Sequence, residues 1–195
     1  AIRASMASYI KHDILYEAVQ GAVLVERETI SGKRIGLVAA LDLDAYDYSE
    51  ASASLIRPTE QTVPERVPPR TKIRMDAPLE LPHVMMLIDD PQASVIEPMY
   101  EVRDSLRSLY DFDLMLEGGH LRGWAIEGDS FKKVDSALQE LANTCDGLLY
   151  AVGDGNHSLA AAKQCWNAIR AGLSDEQRAS HPARWALVEL INIHC

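Results

Sequence analysis

Residues Gly153-Asp154-Gly155-Asn156-His157-Ser158 hold the types and spacing best suited to chemistry in this chain. They stand between an apolar run at 148–152 and Leu159-Ala-Ala-Ala-Lys163. A buried strand that turns through glycine into a helix leaves the first N–H groups of that helix unpaired, and the helix dipole adds partial positive charge there. Such a turn suits an anion, most often a phosphate. Gly153 and Gly155 permit positive φ and let a ligand approach the backbone without a Cβ in the way. Gly153, Asp154, Gly155, Asn156, His157 and Ser158 are therefore candidate phosphate or nucleotide contacts. His157, at a helix start, is expected to stay largely neutral and able to move a proton; the structural alternative is a ring bonded to the preceding loop. Ser158 reads more readily as a capping or phosphate-contacting hydroxyl than as a nucleophile. Asp154 beside an anion makes sense if it binds a metal or orients His157.

The segment 56–74 carries five of the chain's 19 Lys and Arg residues among several prolines. Stiffened backbone lowers the entropy lost on binding, and guanidinium groups suit bidentate contacts to phosphate or carboxylate. Arg57, Arg66 and Arg70 are the candidates here, balanced against a plain solvated loop. Glu60 within Arg57-Pro-Thr-Glu60 is a candidate general base, or a partner for its neighbouring arginine. Asp89-Asp90 stand where a buried strand runs out; with Asp154 they could hold Mg²⁺ beside phosphates, while Asp-Asp-Pro also suits an ordinary turn. Lys163 reads as solvated.

The elements that must position these groups follow from periodicity. A helix is expected over 8–20, strands over 22–27 and 34–43, and an irregular proline-rich stretch over 44–82. A strand at 84–88 precedes a helix over 99–110. A hairpin follows, with arms 113–117 and 120–126 turning at Gly118-Gly119, then a helix to about 143 capped by Asp129 or Ser130. Strand 148–152, helix 156–172 and strand 184–193 complete the chain. Leu159, Ala162, Trp166, Ile169 and Leu173 form the apolar stripe of helix 156–172. Mixed helices and hairpins point to an α+β fold with a mixed, mostly antiparallel sheet.

A chain of 195 residues, 47% hydrophobic, has enough apolar content for one core, so residues 1–195 read as a single domain. The ends look cut, as if this were a segment of a longer protein. Net charge of −10 argues against an extensive nucleic-acid surface. Cys145, Cys165 and Cys195 lack metal-ligand spacing and read as apolar fillers in a reducing, cytoplasmic setting. No apolar run is long enough for a membrane helix.

Several motifs occur in order: Arg57-Pro-Thr-Glu-x-Thr-Val63, Pro68-Pro-Arg-x-Lys-Ile-Arg74, Leu79-Glu-Leu-Pro-His83, Asp89-Asp-Pro91, Gly153-Asp-Gly-Asn-His-Ser-Leu-Ala160 and Pro182-Ala-Arg184 ahead of Leu187-Val-Glu189. Together they resemble the bacterial family called domain of unknown function 1015, over most of 20–195. More distantly, the glycine loop before an alanine-rich helix is similar to the phosphate-contacting loop of the ParB/sulfiredoxin-like superfamily, which includes nucleotide hydrolases, sulfiredoxins and kinases of free serine. That resemblance implies a ParB/sulfiredoxin-like core, phosphates around Gly155 to Ser158 and Glu60 as base, although the relatives usually carry arginine where this chain has Ser158. The resulting expectation is a nucleotide-dependent phosphotransfer or phosphohydrolase enzyme acting on a small molecule, with ATP, ADP or CTP and Mg²⁺. The alternative is a nucleotide-binding module that regulates a partner without turnover.

Overall fold

The computed structural model describes residues 2–81 and 84–194; the Pro82-His83 end of the Leu-Glu-Leu-Pro-His motif and Cys195 lie outside them. The fold is α+β, with eight strands in a mixed sheet and six helices among the described residues. Contacts divide the chain into two compact units, residues 1–17, 40–85 and 150–188, and residues 18–39, 86–149 and 189–195.

In the first unit, β3 (Ile56–Pro58) pairs in parallel with β7 (Tyr150–Asp154), Arg57 facing Ala151 and Pro58 facing Val152. Strand β7 runs into α5 (Asn156–Arg170), whose buried side is Leu159, Ala160, Ala161, Ala162, Cys165 and Trp166. The alanines leave room for a second backbone, and α2 (Val67–Arg74) packs there, with Val67 against Ala160 and Ala161. This corrects the expectation that 44–82 is irregular. Pro68 and Pro69 fall in the first turn of α2, where a missing N–H breaks no helical bond and the fixed φ favours the helix. Helix α1 (Ile2–Lys11) also lies earlier than the 8–20 expected. Asp13 takes φ 52°, and the N–H of Ile14 reaches back to the carbonyl of Tyr9, a left-handed ending that stops the helix despite the apolar residues beyond.

A single helical turn at Leu43–Ala45 is fastened to α5 by polar side chains. Asp44 accepts from Trp166 Nε1 at 2.7 Å and Arg170 at 2.5 Å, and Lys163 Nζ donates to the Leu43 carbonyl at 2.6 Å. Lys163 is thus half-buried and structural rather than solvated, and burial lowers its pKa. Helix α6 (Asp175–Ser180) opens under Ser174, which forms a reciprocal capping box with Gln177.

In the second unit, β1 (Ala22–Thr29) pairs antiparallel with the 32–38 part of β2 (Gly32–Asp42) and, on its other side, with β6 (His120–Ile126). Strand β5 (Ser108–Asp113) pairs with β6 and lies at the sheet edge. The helix expected over 99–110 is therefore three things: α3 (Glu97–Glu101), a single turn at Arg103–Ser105, and the start of β5. Leu106 and Leu109 fit a helical spacing, but the backbone of β5 finds its partner in β6, and tertiary pairing overrides the local period. Helix α4 (Gly128–Thr144) starts without a side-chain cap and buries Val134. The remaining strands are β4 (Met85–Ile88) and β8 (Trp185–Asn192).

Candidate functional site

The turn from β7 into α5 is built around Gly155, the residue flanking the helix start, at φ 85°. This left-handed conformation is costly for a side chain with a Cβ, which explains glycine there. The first helical amides then divide into two kinds. The N–H of Gly155 is taken by the Asp154 carboxylate at 2.7 Å, and that of His157 by Asn156 Oδ1 at 2.8 Å. The amides of Asn156 and Ser158 have no partner among the described residues.

Asn156 and His157 are buried, 4% and 8% exposed. Their side chains hold the segment that carries Glu60. Asn156 Nδ2 donates to the Glu60 carbonyl at 3.5 Å, and the Val63 N–H donates to His157 Nε2 at 3.1 Å. Thr59 completes the attachment, with both its N–H and its hydroxyl on the Val152 carbonyl at 3.2 and 2.8 Å. A ring nitrogen that accepts carries no hydrogen, so His157 is neutral with its proton on Nδ1. Nε2 is thereby occupied in holding a backbone amide. The structural alternative for His157 is the one the geometry displays. Asn156 likewise braces the loop through Nδ2, while its Oδ1 stays on the His157 amide of its own helix. Glu60 itself projects an exposed carboxylate with no partner among the described residues.

The basic residues sort unevenly. Arg57 is half-buried and donates to the Ser52 carbonyl at 3.2 Å, so it fastens its own loop. Arg66 and Arg70 are exposed and meet no carboxylate among the described residues; Arg70 Nη1 donates to the Arg66 carbonyl at 2.7 Å. Arg70 and Ser158 line one cleft of about 210 Å³, whose remaining wall is mostly apolar: Met6, Ile73, Ala77, Leu79, Leu81 and Ala161. Arg74 and Glu80 also border it and are paired with each other. The cleft thus offers an apolar floor, one exposed guanidinium that meets no carboxylate among the described residues and the first turn of a helix. Gly153 is exposed in β7 just before the turn.

The carboxylates expected to hold Mg²⁺ are differently placed. Asp90 is fully buried and its carboxylate is committed to the chain: Oδ2 accepts from the Ser94 and Val95 amides at 2.6 and 2.9 Å, Oδ1 from the Ser94 hydroxyl at 3.1 Å. Asn192 holds the same residue through its backbone. Asp90 therefore closes a turn, as Asp-Asp-Pro sequences do, rather than presenting a metal ligand. Asp89 is exposed and lies 2.6 Å from His194 Nε2. Asp154 is exposed, with one oxygen on the Gly155 amide. Among the described residues, no three His, Cys, Asp or Glu side chains gather as metal ligands do.

Sequence reasoning did not single out Thr59 or Val63. Val63 contributes only a backbone N–H, which no side-chain pattern displays. It also passed over the charged face of β1, β6 and β5. There Glu26, 2% exposed, is bound by Arg122 at 2.6 Å, Lys33 at 3.0 Å and the Tyr100 hydroxyl. The signal lay in the period-two alternation Glu26/Glu28, Asp111/Asp113 and His120/Arg122, which puts like-spaced charges on one face of a sheet.

No helix among the described residues is long and apolar enough to cross a membrane. The family model described as Protein of unknown function (DUF1015) matches residues 1–195. No curated protein and no solved structure matches the chain. The likeness to the ParB/sulfiredoxin-like superfamily accordingly rests on the glycine-loop motif alone.

Proposed function

The chain belongs to the DUF1015 family of proteins of unknown function, and within that frame we propose that it binds the phosphates of a nucleotide where β7 turns into α5. The observation that carries this reading is the unpartnered amide of Ser158, a residue lining the cleft that the exposed Arg70 also borders, with the unpartnered amide of Asn156 two residues before it. Amides at a helix start and an exposed guanidinium are complementary to phosphate in charge and geometry. The apolar floor of the cleft suits the non-phosphate body of such a ligand.

On this reading the protein is a phosphotransfer or phosphohydrolase enzyme for a small molecule. Catalysis there is mostly positioning and charge stabilisation. Asn156 and His157 hold the loop, Arg70 and the amides hold phosphate oxygens, and Glu60 takes the proton from the attacking hydroxyl or water. A second reading, binding without turnover, is favoured by the occupied Nε2 of His157.

Isothermal titration with ATP, ADP and CTP, followed by phosphate-release and product assays with Mg²⁺, separates the two. Arg70→Ala is expected to weaken binding at least about tenfold, with stability unchanged within about 0.5 kcal/mol because the side chain is exposed. Glu60→Gln is expected to abolish turnover and spare affinity. Affinity with no turnover would establish the second reading. No affinity for any nucleotide would remove the phosphate site.

A further inference from the structure

We propose that His120 is a pH-operated latch that holds the edge strand β5 to β6, closed while the imidazole carries both ring protons and released when it loses one. The geometry is a ring with a carboxylate at each nitrogen. His120 Nδ1 lies 2.6 Å from Asp113 and Nε2 2.5 Å from Asp111, both on β5. Carboxylates only accept, so bonds at both nitrogens need two N–H donors, and only the imidazolium has them. Once neutral, the ring can donate at one nitrogen, and the other turns a lone pair toward a carboxylate.

The surroundings amplify the change. Asp111 and Asp113 face the ring from β5, and Glu28 stands opposite it in register on β1. Glu117, in the turn between β5 and β6, lines the same shallow cleft as Glu28, Asp113 and His120. Against these four carboxylates β6 supplies Arg122, which Glu26 already engages at 2.6 Å and which reaches Asp111 only at 3.4 Å. Strand β5 is the last of its sheet and pairs with β6 alone among the described residues, so the latch closes a ladder with no support on its outer side. The adjoining turn is closed by its own backbone bonds, the Leu114 N–H to the Gly119 carbonyl at 2.7 Å and the Gly118 N–H to the Met115 carbonyl at 3.1 Å, with Leu116 and Glu117 at positive φ, 55° and 57°.

Hydrogen bonds to the carboxylates of Asp113 and then Asp111 raise the His120 pKa above its ordinary value of 6.5. A value raised in the folded state makes the latch fully effective below the unfolded value and weakens it as pH rises through the folded one. The release therefore falls above the usual imidazole range.

Hydrogen exchange over 108–126, corrected for the intrinsic pH dependence of exchange and referenced to α4, tests this at about pH 6 and about pH 8.5. The opening constant of β5 is expected to rise several-fold between the two, as the raised His120 loses its second ring proton. His120→Gln should show the open level at both values. Asp113→Asn, which removes an exposed carboxylate and keeps the ring, should shrink the response. Equal opening of the unaltered protein at both pH values would overturn the latch, as would an undiminished pH response in Asp113→Asn or in His120→Gln.

Discussion

The start of α5 and the charged face of β1, β6 and β5 use similar side chains to opposite ends. Around α5, the buried polar groups Asn156 and His157 bond to backbone: the amides of His157 and Val63 and the carbonyl of Glu60. The charges nearby, Arg66 and Arg70, are left without carboxylates. On the sheet face the charges bond to one another, Glu26 with Arg122 and Lys33, His120 with Asp111 and Asp113. Neutral groups that hold backbone leave charge available for a ligand. Charges already matched hold strands together and offer a ligand little. The difference separates a candidate binding site from an electrostatic fastening, and each half of it can be broken.

The largest effect is expected from Asn156→Ala. It leaves the His157 amide and the Glu60 carbonyl without their partner, at a cost of about 3 kcal/mol, readable as a lowered urea midpoint. A loss below about 1 kcal/mol would mean that the loop is held by something other than Asn156.

Next comes Glu26. Burial by itself would raise its carboxyl, but Tyr100, Lys33 and Arg122 hold it down to about 2 from an ordinary 4.5. A lowered value contributes stability above the unfolded pKa and loses it as pH falls toward the folded one. Urea melts taken between those values should show a fall of about 2 kcal/mol, discounted because Lys33 and Arg122 are partly exposed. In Glu26→Gln that slope should flatten.

The smallest expected effect sharpens the contrast within the site itself. Asp154 already places a negative charge on the Gly155 amide, so Asp154→Asn should raise metal-free pyrophosphate affinity by about threefold. A fall confined to Mg²⁺-containing buffer would instead make Asp154 a metal ligand.

Much of the fold was legible where side-chain period and turn chemistry agree. The β1–β2 hairpin, the strand at Met85–Ile88, α4, the passage from β7 to α5, and the closing strand all follow from their own residues. Two of the failures share a cause. β3 is three residues long and exists because β7 lies beside it; β5 exists because β6 does. Neither pairing is contained in the local sequence. Helix α6 is a different case, since Ser174 and Gln177 spell its capping box in plain view. At the site, glycine chemistry pointed to the turn, and the basic residues among the prolines of 56–74 pointed to the arginines. It could not show that His157 faces a backbone amide, or that Asp90 turns its oxygens onto Ser94 and Val95, because both depend on where a distant or following segment comes to rest.

The most direct test of a phosphate site at the start of α5 is an amide NMR titration with pyrophosphate, without metal. The Asn156 and Ser158 N–H resonances should move furthest and saturate together, and in Arg70→Ala the same movement should need at least about tenfold more ligand. Saturable shifts confined to other amides, or none at concentrations that saturate nucleotide binding, would contradict the assignment of this turn as the anion site.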